Sequence, residues 1–226
     1  KLFAVALSED EQHIALIDLL PGLDRDCADL TGLVGLDLIA AVGGNGAGAS
    51  YTGGDSAVRD ILRQIDRFAI DELWNIGVSG SFRDDPAGTL ISATACVQHD
   101  LDIFGDPAGQ VPVLDRVDLP CAGAEDAVKL LSAAGLPCRA GVVATGDWFG
   151  RDFPRAERIR DGFGADVCDM EAGAAAQVCL RAEVPFRCLK VVSDHLFHPS
   201  QYEEYQANAP QVTRRLNEAL ALLLKI

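Results

Sequence analysis

The acids in one stretch, Asp166 to His195 (DVCDMEAGAAAQVCLRAEVPFRCLKVVSDH), are the first candidates for chemistry. A short apolar segment ends in Asp169-Met170-Glu171, and a run of small residues follows. A second apolar segment, Phe186 to Val192, ends in Ser193-Asp194. Ligands of wound α/β sheets sit outside the carboxyl ends of the strands. Glu171 and Asp194, at two such ends joined by one helix, therefore fit a single site. Paired carboxylates can cleave a glycosidic bond. One protonates the leaving atom and the other activates water, through a positively charged, oxocarbenium-like transition state. Each acid also has a local explanation. Glu171 opens a helix, where the dipole favours an acid, and Ser193-Asp194 fits a cap for the next helical turn.

Other chemistries find less support. There is no G-x-S-x-G elbow for a serine nucleophile. His195 and His198 have H-x-x-H spacing beside Asp194, but no HExxH and no cysteine pair accompany them, and no metal is expected. Trp148 and Phe149, at a strand end, could stack on a planar leaving base or serve as core aromatics. Met170 could pack on a sugar face or fill a gap in the core.

These groups need a scaffold of alternating strands and helices. The pattern predicts strands at 2–7, 37–42, 73–76, 90–98 and 139–144, besides the two that carry the acids. Helices are expected over 124–133, 154–161 and 202–224, with others near 9–20 and 56–68. In the last predicted helix, Val212, Leu216, Leu220, Leu223 and Leu224 form an apolar stripe for docking on the sheet. Ser8 with Glu11 matches the S-x-x-E capping box. Gly-rich GGNGAGAS after Val42 is a weak nucleotide signature and an equally good packing turn. NIGVSGSF reads as a strand entering a small-residue turn after Ile76. His99 to Asp106 reads as an exposed acidic loop. The expected fold is α/β: one domain over 1–226, in three layers, with a mixed central sheet flanked by helices.

Bulk properties narrow the partners. The chain has 226 residues, 49% of them hydrophobic, which is ample for a core. The net charge of −15 argues against nucleic acid or an anionic membrane as a partner. Seven cysteines, without a CxxC, read as reduced, buried small hydrophobes of a cytoplasmic protein. The chain opens directly on an apolar strand, with no leader expected. No apolar run approaches membrane-spanning length.

Seven segments together resemble the nucleoside phosphorylase family of purine nucleosidases and phosphorylases. They are the opening strand with its acids to Glu11, the G-N-G turn at 44–46, NIGVSGSF at 75–82, HDLDIFG at 99–105, ATGDWFG at 144–150, DMEAGAAAQVC at 169–179 and KVVSD at 190–194. The likeness is greatest to the branch that hydrolyses methylthioadenosine and S-adenosylhomocysteine. The resemblance implies that Asp194 is the general acid at purine N7, supported by Ser193. It implies that Glu171 holds the ribose hydroxyls and that Met170 packs beneath the ribose. Phe149 would stack on the base, Gly150 would read its edge through the backbone, and Glu11 would activate water.

Two positions depart from that branch. Val78 stands where Ser is usual, and Lys190 where Arg is usual, so both touch the expected water or ribose side. NIGVSGSF also resembles futalosine hydrolases, which usually carry Asn where this chain has Asp194. Where phosphorylases of the family carry a G-x-P-x-R-like anion loop, Ser8-Glu9-Asp10-Glu11 would repel phosphate, so hydrolysis is expected. A phosphorylase and a non-catalytic nucleoside-binding relative are the remaining readings. The resemblance implies no cofactor. It implies a homodimer in which a neighbour's loop, His99 to Gly105, closes the pocket.

Overall fold

A computed structural model describes residues 71–149 and 152–224, together with the backbone of three strands within the first 70 residues. Those three are β1 (Phe3–Leu7), β2 (Cys27–Asp29) and β3 (Leu38–Val42). They are followed by β4 (Glu72–Ser81), β5 (Leu90–Gln98), β6 (Asp118–Pro120), α1 (Ala124–Ala133), β7 (Cys138–Thr145) and α2 (Phe153–Phe163). The chain continues through β8 (Val167–Asp169), α3 (Ala172–Arg181), β9 (Phe186–His195) and α4 (Gln201–Leu224). The capping box at Ser8–Glu11, the Gly-rich turn and the helices expected near 9–20 and 56–68 lie outside the described residues.

The strands form one mixed sheet in the order β2-β3-β1-β4-β8-β7-β5-β6, with β9 pairing both β4 and β5. Those extra pairings close a ring. β9 runs parallel to β4 and antiparallel to β5, β5 is parallel to β7, and β7 is parallel to β8. β8 returns antiparallel to β4. A mixed sheet with flanking helices is what the alternation of elements predicts, but its curling into a ring is not.

The ring changes how two strands end. β4 does not stop at Ile76. It runs on through Ser81, pairing with β9 on one side and with β8 on the other. Its small residues (Gly77, Ser79, Gly80, Ser81) belong to a strand paired along both edges rather than to a turn. β9 likewise continues past Val192 to His195. The register between the two shifts after Ser79: Ser79 faces Val192, but Gly80 faces Asp194. Ser193 is the extra residue of a bulge, and a bulge re-aims the side chains beyond it.

The two acid-bearing strands, β8 and β9, are joined by one helix, α3, as expected, but they do not pair with each other as a βαβ unit would place them. β4 lies between them, antiparallel to β8 and parallel to β9. Their ends meet through β4: Gly80 pairs with Asp194 on one side and with Cys168 on the other. At the usual strand spacing, Asp194 and Cys168 are about 10 Å apart across that row.

Helices pack on the two faces of this ring. On one, α4 buries Val212, Leu216 and Leu220 against Trp74, Ile76, Leu189 and Val191. Each fully buried aliphatic side chain contributes about 1.5–3 kcal/mol, so this stripe holds the helix down. On the other, α3 presents Ala172, Ala175, Ala176 and Cys179 to Ile91, Val143 and Val192. Its small side chains let the helix axis approach the sheet closely. Asp152 caps α2, accepting from the Arg155 amide at 3.0 Å, and Gly164 ends it at φ 63°.

Candidate active site

Asp194 is 1% exposed, at the end of β9 beside Gly80. A Cβ on Gly80 would come within 3.0 Å of its Oδ2 and of Leu196 Cδ2, so glycine is what makes room for the carboxyl group. The Ser193 hydroxyl lies 2.5 Å from Oδ1 and 3.2 Å from the Ser79 carbonyl, and it has one proton to donate to either. Gln201, the first residue of α4, donates from Nε2 to Oδ2 at 2.8 Å. Burial raises the Asp194 pKa above the usual carboxylate range. The Ser193 and Gln201 bonds and His195 oppose the rise, and the charge of Glu204 adds to it. A buried acid that keeps its proton to higher pH is suited to protonating a leaving group.

The second acid cluster splits into two roles. Asp169 faces inward, with its side chain fully buried, and Lys190 reaches it from β9 with Nζ 2.8 Å from Oδ2. The same carboxyl accepts from the Thr145 hydroxyl on β7 and from the Ala172 amide of α3. Thr145 Oγ1 in turn accepts from the Gly173 amide at 2.8 Å. One buried network thus ties β7, β8, β9 and the start of α3. Glu171 stands at the N-cap position of α3 but makes no side-chain cap bond; its carbonyl accepts from the Ala175 amide. The capping explanation therefore belongs to Asp169, which leaves the Glu171 side chain outside that role. Met170, between the two, is partly exposed.

The aromatic pair divides as well. Trp148 turns inward, with the Arg155 guanidinium 5.2 Å above its ring and the His99 ring perpendicular to it at 6.3 Å between centroids. Phe149 is 54% exposed and makes T-shaped contacts with Tyr202 and Tyr205 of α4, with ring centroids 6.4 and 6.0 Å apart. The residue expected to stack on a base is therefore the accessible one, next to the helix that supplies Gln201. Gly150 lies outside the described residues.

The two histidines converge on α4 too. His195 Nδ1 is 3.1 Å from Glu204 Oε2, and His198 Nδ1 is 3.2 Å from Oε1. His195 Nε2 donates to the Asp85 carbonyl at 2.8 Å. Burial lowers the His195 pKa, but Glu204 and that carbonyl outweigh it, and the net shift is upward. Val78 sits on the α4 face of β4, packed against the apolar cluster around Val212 and Leu216. Glu11 lies outside the described residues. Leu7, at the end of β1, pairs with Ile76, and β4 continues in the same direction toward Gly80.

Sequence reasoning named Asp169 in the acid cluster without giving it a role, and it missed Thr145 and Gln201. Asp169 carried a signal, since a capping acid shortly before a small-residue helix is a common pattern. Gln201 carried none, because its partner is set by the tertiary path of the loop after β9.

A family model described as the phosphorylase superfamily matches residues 30–225. The chain belongs to that superfamily. The aminodeoxyfutalosine nucleosidase of Campylobacter jejuni is 32% identical over 157 residues, 66% of this chain and 68% of that protein. The 5′-methylthioadenosine/S-adenosylhomocysteine nucleosidase of Geobacillus thermodenitrificans is 36% identical over 137 residues, 58% of each chain. The matched stretches thus span 58% to 68% of these curated relatives. Among solved structures, the Helicobacter pylori 5′-methylthioadenosine/S-adenosylhomocysteine nucleosidase superposes with a TM-score of 0.84 at 21% identity, over 100% of this chain and 99% of that one. The Helicobacter pylori futalosine hydrolase gives 0.83 at 21% identity, over 100% and 97%. These structural likenesses establish the fold of the superfamily member.

Proposed function

We propose that the protein is a purine nucleosidase that hydrolyses the N-glycosidic bond of a 5′-modified adenosine, such as methylthioadenosine or S-adenosylhomocysteine, and releases adenine. The observation that carries this reading is Asp194: buried, raised in pKa, and bonded by Gln201 of the helix whose Tyr202 and Tyr205 meet the exposed Phe149. Asp194 protonates N7 of the base, which turns the purine into a neutral leaving group. Ser193 and Gln201 hold its carboxyl. Phe149 stacks on the base, with the backbone at Gly150 reading its edge. Glu171 takes the ribose hydroxyls and Met170 lies beneath the ring. Glu11 activates the water. Lys190 serves this site indirectly, through Asp169 and the start of α3. Val78 fills the α4 face where a hydroxyl is usual in the methylthioadenosine branch.

A second reading, a nucleosidase acting on aminodeoxyfutalosine, has its own support. The Campylobacter jejuni relative is matched over 68% of its length. Chromatography of the products from methylthioadenosine, S-adenosylhomocysteine, 5′-deoxyadenosine, inosine and aminodeoxyfutalosine, with and without phosphate, tests both. Adenine plus a free sugar without phosphate supports hydrolysis, and the preferred substrate separates the two readings. Product only with phosphate would make the protein a phosphorylase. Binding without turnover would leave a nucleoside-binding relative.

The assembly we propose is a homodimer of one-domain chains spanning 1–226. Phe104 is fully exposed and Ile103 is 39% exposed, in the loop between His99 and Gly105. Such a loop is suited to closing a partner's pocket. Light scattering after gel filtration measures this directly. The buried thiols, Cys96, Cys168, Cys179 and Cys188, suit a reducing cytoplasm. Among the described residues, no helix is long and apolar enough to cross a membrane.

A further inference from the structure

Resting on the reading of Asp194 as the acid, we propose that Gln201 is a positioning residue that holds the Asp194 carboxyl group and governs its proton. Gln201 is 2% exposed, and its Nε2 donates to Asp194 Oδ2 at 2.8 Å. The other oxygen, Oδ1, already faces the Ser193 hydroxyl. With these two partners donating, both oxygens accept hydrogen bonds, which is the arrangement of an ionised carboxylate. A protonated Oδ2 would need an acceptor instead. A side-chain amide offers both: rotated by half a turn, Gln201 presents Oε1 to an Asp194 hydroxyl. Gln201 therefore serves both protonation states of one oxygen, whereas the Ser193 hydroxyl stays on the other. With the Ser193 hydroxyl donating to Oδ1, the proton falls to Oδ2, the oxygen that a Cβ on Gly80 would approach within 3.0 Å.

The position of Gln201 is itself braced. It opens α4, and Glu204 in the same turn is held by His195 and His198. Asn208, one turn further, donates to the Ser193 carbonyl at 2.8 Å. Pro210 follows inside the helix, where the chain has no N–H to give the preceding turn. The turns before that proline thus cover Asp194, and those after it dock on the sheet. The titratable groups that act on Asp194 from the packed elements are Glu204 on α4 and His195 on β9, and Asp194 acts in turn on Cys168 of β8. Gln201 is the neutral member of this set, so its removal changes hydrogen bonding without changing charge.

The test is the pH dependence of kcat/KM for Gln201→Leu and Gln201→Glu, paired with a carbon-13 carboxyl titration of Asp194, assigned by the signal lost in Asp194→Asn. Gln201→Leu removes the bond to either form, and the charge-assisted bond to the carboxylate is the stronger loss. The Asp194 pKa, and with it the alkaline limb of kcat/KM, should move up by about one pH unit, the size of one lost charge-assisted bond. Gln201→Glu places a second carboxyl beside the first, and its limb should lie higher still. kcat near neutrality should fall about tenfold in Gln201→Leu, with a smaller change in KM. An unmoved Asp194 titration in both variants would overturn the proposal, as would equal loss of rate at every pH. If the wild type turns over no nucleoside but the titration moves as stated, Gln201 keeps its role and the nucleosidase reading falls instead.

Discussion

Lys190 Nζ lies 2.8 Å from Asp169 Oδ2, and neither side chain is more than 1% exposed. The pair joins the middle of β9 to the end of β8, at the residue before Met170. Removing one partner leaves a buried charge, which typically costs about 3–5 kcal/mol. Lys190→Met should therefore destabilise the fold by that order in urea. Adding Asp169→Asn to it should recover part of the loss. A double variant no better than the single one would mean that Asp169 is held by Thr145 and Ala172 alone.

Asp194 carries a stability cost. Its folded pKa lies above the unfolded one, so its contribution is fully present below the unfolded pKa and is lost as pH rises through the folded value. Asp194→Asn should therefore melt higher than the wild type at neutral pH, and the difference should vanish in acid. A rise of about 2–4 °C would correspond to roughly 1 kcal/mol. Calorimetry at two pH values decides it, and a variant less stable at both would contradict the burial argument.

Gly80 is fitted to Asp194 rather than to its own backbone. Gly80→Ala would put a methyl group 3.0 Å from Asp194 Oδ2 and from Leu196 Cδ2. Overpacking of this kind costs about 1–3 kcal/mol. The acid must move, so kcat should fall at least about tenfold, the usual penalty for a misplaced catalytic group. Steady-state kinetics with a melting control would show it. A folded variant with unchanged kcat would place the reacting atoms elsewhere.

Phe149 is half exposed and packs in T-shaped contacts with Tyr202 and Tyr205. Phe149→Ala should weaken substrate binding by about 1–3 kcal/mol, the worth of one base–aromatic stack. Isothermal titration with adenine measures this. Unchanged affinity would remove Phe149 from the base site.

Local patterns and long-range contacts were not equally legible in the sequence. β5 and α1 run over the residues their alternation and helical spacing predict. The stripe of α4 docks through Val212, Leu216 and Leu220 as its period implies. β4 was read too short because Gly77 to Ser81 looks like a turn. Only the closure of the ring, with β8 and β9 on either side, makes small residues the right ones for a strand there. Lys190 was visible only as a departure from its branch. A lysine in an apolar run says nothing of the aspartate it meets from another strand. Gln201 meets Asp194 because of the loop after β9, which no periodicity records.

The central claim is that Asp194 protonates the departing base. The most direct test compares two substrates in the wild type and in Asp194→Asn: the preferred adenine nucleoside, and a nitrophenyl riboside whose leaving group needs no proton. Loss of general acid catalysis typically costs about 10²–10⁴-fold. Adenine release should fall by that factor, while nitrophenolate release changes less than about tenfold. Equal losses on both substrates, or none on the nucleoside, would contradict the assignment.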